Sequence, residues 1–193
     1  MSADSVTIVS GLPRSGTSLL MQMLQAGGLQ LLSDGQRAPD RHNPRGYFEL
    51  ESVKHSRHDV SWVDQAGHKA VKVIHLLLPY LPANRTYRVI FMRRDLQEVI
   101  ESQRVMLQQQ GRPVAALSDA ALASVFQKQL DAVCQWLSAR PAFQVLFMNY
   151  KDLLDRPAEM AGRINCFLNG NLLVADMAAA VDLTLYRQRK PAN

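Results

Sequence analysis

VTIVSGLPRSGTSLL, residues 6–20, packs a strand, a loop and the start of a helix into one short stretch. Val6 to Ser10 are β-branched or small, the composition of a buried strand. Gly11-Leu-Pro-Arg-Ser-Gly16 is a tight loop bounded by glycines. From Thr17, the residues Leu20, Met23 and Leu24 recur at helical spacing, and Gly27-Gly28 stops the helix after Ala26. A strand, a glycine-bounded loop and a helix in this order form an anion cradle. Loop N–H groups and the positive end of the helix dipole point at the same spot. The glycines keep the spacing of G-x-x-x-x-G-K-[ST]. The lysine of that motif is missing, because Thr17 stands there, and the loop's one cation is Arg14.

The rest of the chain alternates strands and helices. Lys69 to His75, Tyr87 to Met92 and Phe143 to Met148 are near-continuous apolar runs and read as buried strands. Asp95 with Glu98 forms a capping box, and Leu96, Val99, Ile100, Gln103 and Met106 then follow helical spacing until Gly111-Arg-Pro113. Ser118 to Ala139 is a long amphipathic helix, Pro157 opens another that ends near Leu168, and Ala175 to Val181 suggests a short one. Tyr47 to Val60 is expected to be a helix with Glu49 and Glu51 at its positive end. Ser33 to Gly46 is loop, with Arg37, Arg41, His42 and Arg45 in it, and a loop of that length is often functional. The pattern predicts an α/β, three-layer P-loop-type fold: a central parallel sheet with helices on both faces.

Residues 1–193 are expected to form one domain, since that length builds a substantial core and no linker or repeat interrupts it. A net charge of +5 is mild and evenly spread, which argues against nucleic acid and suits an anionic ligand. Cys134 and Cys166 lie in apolar, helix-like stretches and are expected to be buried free thiols of a reducing compartment. MSADSVTIV has no basic region followed by a long apolar run, and the apolar run His75 to Leu81 is too short to cross a bilayer. The expectation is a cytoplasmic protein without signal peptide or transmembrane segment. No metal site is read from the sequence.

Taken alone, the loop offers Arg14 as a permanent charge with several donors, and Ser15, Gly16, Thr17 and Ser18 as N–H groups and hydroxyls. No acid at a strand end stands in for a Walker-B residue: Met92 runs into Arg93-Arg94, and Met148 into Asn149-Tyr150. An ATP–Mg²⁺ arrangement is therefore disfavoured. GLPRSGTSLL resembles the 5′-phosphosulfate loop of sulfotransferases that use 3′-phosphoadenosine 5′-phosphosulfate (PAPS), whose motif has Lys or Arg followed by S-G-T-[ST]. That family also has an Arg at a strand end and a Ser eight residues on, which hold the 3′-phosphate. Arg94 and Ser102 match in kind and spacing. Asn149-Tyr-Lys-Asp-Leu153 is similar to the family's Y-[ED]-D-[LM] segment, which implies that Tyr150 contacts adenine. Arg187 and Arg189, in the basic tail, resemble the element that closes on the 3′-phosphate. The resemblance implies PAPS as co-substrate, released as adenosine 3′,5′-bisphosphate, and no metal.

Sulfuryl transfer needs a base near the acceptor and positive charge at the leaving oxygen. Arg14 and Lys72 are candidates for the charge. Lys72-Val-Ile-His75 resembles the family's K-T-H, one residue longer, and nominates His75 as a base. The preferred base is Glu49, in Asn43-Pro-Arg-Gly-Tyr-Phe-Glu49, because family members use a glutamate from this region and an apolar neighbourhood such as Tyr47-Phe48 raises a carboxyl pKa. Glu51 and His42 are alternates, and His42 and Tyr47 are expected on the acceptor side, where a small molecule, sugar or lipid would bind. Two other readings are a kinase with a degenerate loop and a nucleotide-binding module without turnover.

Overall fold

Four parallel strands make the sheet, in the order β2-β1-β3-β4: β1 is Ser5–Gly11, β2 Ala70–Lys72, β3 Thr86–Arg93 and β4 Phe143–Asn149. The computed structural model describes residues 5–41, 43–111 and 117–185. The register puts Val9 beside Lys72, Gly11 beside Met92, and Arg93 beside Asn149. All four strands therefore end along one edge. Because β1 lies between β2 and β3, the chain order reverses there, and a crevice opens at the carboxyl ends of β1 and β3.

Side chains alternate across the sheet and feed a core on each face. Val6, Ile8, Val71, Val89 and Phe91 pack with Val133 and Leu137 of α4 (Asp119–Ser138) and with Trp62, Leu77 and Leu78. Val9, Ile90, Met92 and Met148 pack with Leu20, Met23 and Leu24 of α1 (Thr17–Ala26). The same face carries α5 (Tyr150–Asp155), α6 (Pro157–Phe167) and α7 (Val174–Ala179), through Leu153, Ile164 and Met177. The α/β layering expected from the sequence is thus present. α3 (Leu96–Gln109) begins at Asp95, whose carboxylate accepts from the N–H groups of Gln97 and Glu98, and α4 begins at Ser118, which accepts from Ala121 N–H.

Three expectations need correction. The helix expected over Tyr47–Val60 shrinks to α2, Glu51–Lys54. Gly46 (φ 99°) and Phe48 (φ 53°) both sit in the left-handed region, which a helix does not admit. The helix instead starts where Asp34 accepts the Glu51 N–H at 2.5 Å, so Glu49 lies ahead of it. The strand expected over Lys69–His75 stops at Lys72. Val73 N–H makes a last bond to the Val9 carbonyl, and the chain then turns into a 3₁₀ segment, His75–Tyr80, closed by Leu77 N–H on the Ile74 carbonyl. The cysteines are free, but Cys134 is only half-buried and Cys166 is exposed. No helix of the described residues is long and apolar enough to cross a membrane.

The loop is fixed by its glycines. Gly11 has φ 146° and Gly16 φ 99°, and a Cβ on Gly16 would lie 2.3 Å from Cδ2 of Tyr150. Gly16→Ala must therefore move Tyr150 as well as strain the backbone. Gly28→Ala, also at positive φ (92°) but with open space around it, bears backbone strain alone, of about 1–2 kcal/mol. The expected result is a larger fall in the thermal midpoint for Gly16→Ala than for Gly28→Ala, each kcal/mol being worth roughly 2–4 °C in a chain of this size. Calorimetry of the two variants checks the order.

Candidate active site

The crevice at the strand ends is a cleft of about 280 Å³. Each strand delivers one component: β1 the loop Gly11–Gly16, β2 Lys72, β3 Arg94 and β4 Tyr150. Its floor is the start of α1. No side chain caps that helix and no acidic residue lies in its first turn, so its free N–H groups and dipole face the cleft unopposed. Arg14, Arg37, Lys72 and Arg94 line the cleft against two carboxylates, Glu49 and Asp182, and Asp182 is already paired with Arg45 at 2.9 Å. Such a balance of charge is suited to an anionic ligand.

The loop and the 94/102 pair meet directly. Arg14, at φ 71°, donates from Nε to Ser102 Oγ at 2.9 Å, and Arg94 donates from Nη1 to the Arg14 carbonyl at 3.0 Å. Ser102 is buried on the face of α3 that meets the loop. Glu98, one turn after Arg94, accepts from its Nε at 2.9 Å, and both side chains are nearly buried. The Arg94 guanidinium also lies 4.4 Å from the centre of the Tyr150 ring, which packs on Gly16. Burial lowers the Arg14 pKa below the ordinary arginine value and raises that of Tyr150.

The second wall comes from the long loop that precedes α2. Lys72 Nζ donates to Ser18 Oγ at 3.1 Å and to the Tyr47 carbonyl at 3.0 Å, and stands 3.8 Å from Glu49 Oε1. Asn43 Nδ2 donates to the same Ser18 Oγ at 2.8 Å. Glu49 Oε1 also receives Arg37 Nη1 at 2.9 Å, and the Arg37 guanidinium lies 3.4 Å above the Tyr47 ring. The Tyr47 hydroxyl donates to Asp40 at 2.7 Å. Lys72 is nearly buried, and desolvation, opposed by Glu49, pulls its pKa down to about 8.

Among the residues expected in the site, Arg14, Gly16, Thr17, Ser18, Tyr47, Glu49, Lys72, Arg94, Ser102 and Tyr150 line this cleft. Ser15 is turned beneath the loop: its N–H bonds the Leu12 carbonyl, and its hydroxyl is buried. His75 does not line the cleft itself, although it bonds the backbone of Gly11, which does. It lies past the end of β2, is buried against α4, and its Nε2 is 3.0 Å from Gln129 Oε1. Burial lowers its pKa. Glu51 points away from the cleft, to Lys54. The apolar surroundings expected for Glu49 are replaced by the cations Arg37, Lys54 and Lys72. His42, Arg187 and Arg189 lie outside the described residues. The sequence reading missed Asn43, Glu98 and the part played by Arg37. Their one signal was position: an arginine and an Asn-Pro turn in a long loop, and a glutamate four residues after Arg94. Among the described residues, no group of three or more His, Cys, Asp or Glu could hold a metal ion.

A family model described as a sulfotransferase domain matches residues 4–190. The chain belongs to the sulfotransferase family. Two solved structures share its fold. The sulfotransferase domain of the Synechococcus PCC 7002 olefin synthase is 19% identical, with a TM-score of 0.53 over 90% of this chain and 76% of that one. The sulfotransferase domain from the curacin biosynthetic pathway is 18% identical, with a TM-score of 0.51 over 86% and 74%. A comparison with curated proteins gave no match.

The buried ammonium has a measurable consequence for this sulfotransferase. In the folded state Lys72 loses its proton near pH 8. The unfolded chain keeps that proton into the ordinary lysine range, so between the two the unfolded state binds more protons and stability rises with pH. Below pH 8 the penalty for the buried charge is fully present. Wild-type stability relative to Lys72→Met should therefore increase as pH rises from about 8 towards the ordinary lysine range. Urea denaturation of both proteins across that range reads it, and a pH-independent difference would remove the buried, proton-losing lysine from the description.

Proposed function

We propose that this sulfotransferase draws its sulfuryl group from PAPS and passes it to a hydroxyl or amine of an acceptor from the small-molecule, sugar or lipid classes. The observation that carries the donor reading is the junction of Arg14, Ser102 and Arg94, which joins the uncapped helix start to a second cation in the same cleft. A ligand with anions at both ends of a nucleoside suits two such positions held side by side. Tyr150, which lines the cleft beside Arg94, is placed to contact a base between them. When bound, the donor supplies an activated sulfuryl group on a phosphate leaving group.

The chain's own residues divide the remaining work. Arg14 with the N–H groups and hydroxyls of Thr17 and Ser18 holds the 5′ end, and Arg94 with Ser102 holds the 3′-phosphate. Lys72, already bonded to Ser18 and able to give up a proton near neutral pH, supplies charge and a proton to the oxygen that leaves. Glu49 takes the proton of the acceptor hydroxyl. Arg37 holds its carboxylate toward Lys72, and an oxygen placed between Glu49 and Lys72 would be within reach of both. Water is held off by Tyr47, whose buried ring is pinned by Asp40 below Arg37.

Two experiments test the proposal. Adenosine 3′,5′-bisphosphate should raise the thermal midpoint more than ADP or AMP at equal concentration, since binding to the native state stabilises by mass action. Arg94→Ala and Ser102→Ala should erase that preference, and a preference for ADP in the wild type would sink the donor reading. In a sulfuryl-transfer assay Glu49→Gln should lower kcat by roughly 10²–10⁴-fold, the usual worth of a positioned base. With Lys72 acting as acid, kcat/KM should fall as pH rises through about 8, and Lys72→Arg should move that limb to higher pH.

A further inference from the structure

Beyond its charged floor, the cleft has an apolar exit. Its lining also includes Val73, Ile74 and Met106, none of which offers a strong hydrogen-bond donor or acceptor on its side chain. Ile74 is 38% exposed while lining the cleft. The chain continues from it into the 3₁₀ segment His75–Tyr80, where Leu76 is 43% exposed. That segment is fastened to α4 by His75 Nε2 and Gln129 Oε1 at 3.0 Å. Val125, one turn before Gln129 on the same side of α4, is 41% exposed, and Leu117, just before the helix, is 52% exposed. Arg104 of α3 pairs with Asp119, which brings the start of α4 against the helix that carries Met106. Exposed aliphatic side chains thus recur along the two segments that follow from this lining: Ile74, Leu76, Leu117 and Val125. Apolar patches that gather at the mouth of a polar cleft mark ligand grooves.

We infer that the acceptor is an amphiphilic alcohol, a hydroxyl carried on an aliphatic chain, with the hydroxyl at Glu49 and Lys72 and the chain laid along Ile74, Met106 and Leu76 toward Val125. This rests on the PAPS reading and narrows its acceptor. The side chains of Ile74 and Leu76 offer a polyhydroxylated sugar no hydrogen-bond donor or acceptor. The branched aliphatic residues gain by covering a chain. The transfer balances simply: the acceptor O–H loses its proton to Glu49, a new O–S bond forms, and the O–S bond to the donor phosphate breaks.

The test uses PAPS with 1-butanol, 1-hexanol, 1-octanol and 1-decanol, and with glucose, reading release of adenosine 3′,5′-bisphosphate. The expected result is a kcat/KM that climbs by about fourfold per added methylene, in line with the free energy of burying a CH₂. Leu76→Asn and Val125→Asn should flatten that climb while leaving the affinity for adenosine 3′,5′-bisphosphate unchanged by calorimetry. No turnover of any alcohol, a flat profile, or faster use of glucose, with the bisphosphate still bound, overturns the acceptor assignment and leaves the donor reading standing. Failure to bind the bisphosphate overturns the donor reading itself, and this inference with it. Sedimentation velocity covers the remaining occupant: a self-associating chain that Leu76→Asn makes monomeric, with its alcohol profile intact, would reassign the patch to a second copy.

Discussion

Arg14 is held from two sides, and the site depends on it. Its Nε gives a proton to Ser102, and its carbonyl takes one from Arg94. Arg14 is thereby fixed within hydrogen-bond distance of Arg94 and Ser102, both of which lie far along the chain from it. The arrangement needs Arg14 in the left-handed region, where a non-glycine residue costs of order 1–3 kcal/mol. The loop accepts that cost because Gly11 and Gly16 relieve crowding on either side, Gly16 by letting the Tyr150 ring lie flat against the backbone. Strain at Arg14, the bare helix start and the aromatic floor are consequences of one constraint: a cation must stand over the N-terminus of α1 without shielding it.

Gathering positive charge in a partly buried cleft is unfavourable unless each charge has company. Three solutions appear. Arg94 has a nearly buried carboxylate, Glu98, one turn away. Arg37 lies on the face of Tyr47 and against Glu49. Lys72 has only the more distant Glu49 and two neutral acceptors, and it compensates by holding its proton less tightly, near pH 8. Arginine cannot respond in that way. The charge most easily given up thus belongs to the cation that stands beside both the loop hydroxyl of Ser18 and the carboxylate of Glu49.

The architecture was legible because it is written in local periodicity: apolar runs for strands, helical stripes, glycine and proline stops. The cleft was half legible. Arg14 to Ser18, Arg94 and Ser102 lie at strand ends and at short spacings, so sequence distance was a guide to their place. Asn43, Asp40 and Arg37 lie in an irregular segment whose path is set by two left-handed residues, Gly46 and Phe48, and by Asp34. A left-handed phenylalanine leaves no trace in a pattern, and reading helix through it misjudged the surroundings of Glu49. The place of His75 was hidden for a related reason. The strand was read three residues too long, and beyond Lys72 the alternation that assigns faces no longer applies.

The absent loop lysine can now be understood as a relocated one. In the motif the sequence departs from, the lysine is part of the helix start, fixed beside the phosphates. Here Thr17 takes that position, and the ammonium arrives from β2, the strand on the other side of β1, to bond Ser18. A lysine at position 17 would stand on the helix start itself, beside the loop N–H groups. One that reaches in from the sheet is desolvated by the core beneath it and set beside a carboxylate. The same charge becomes titratable. The lysine on the strand is thus a group that can exchange protons near pH 8, and the permanent charge is left to Arg14.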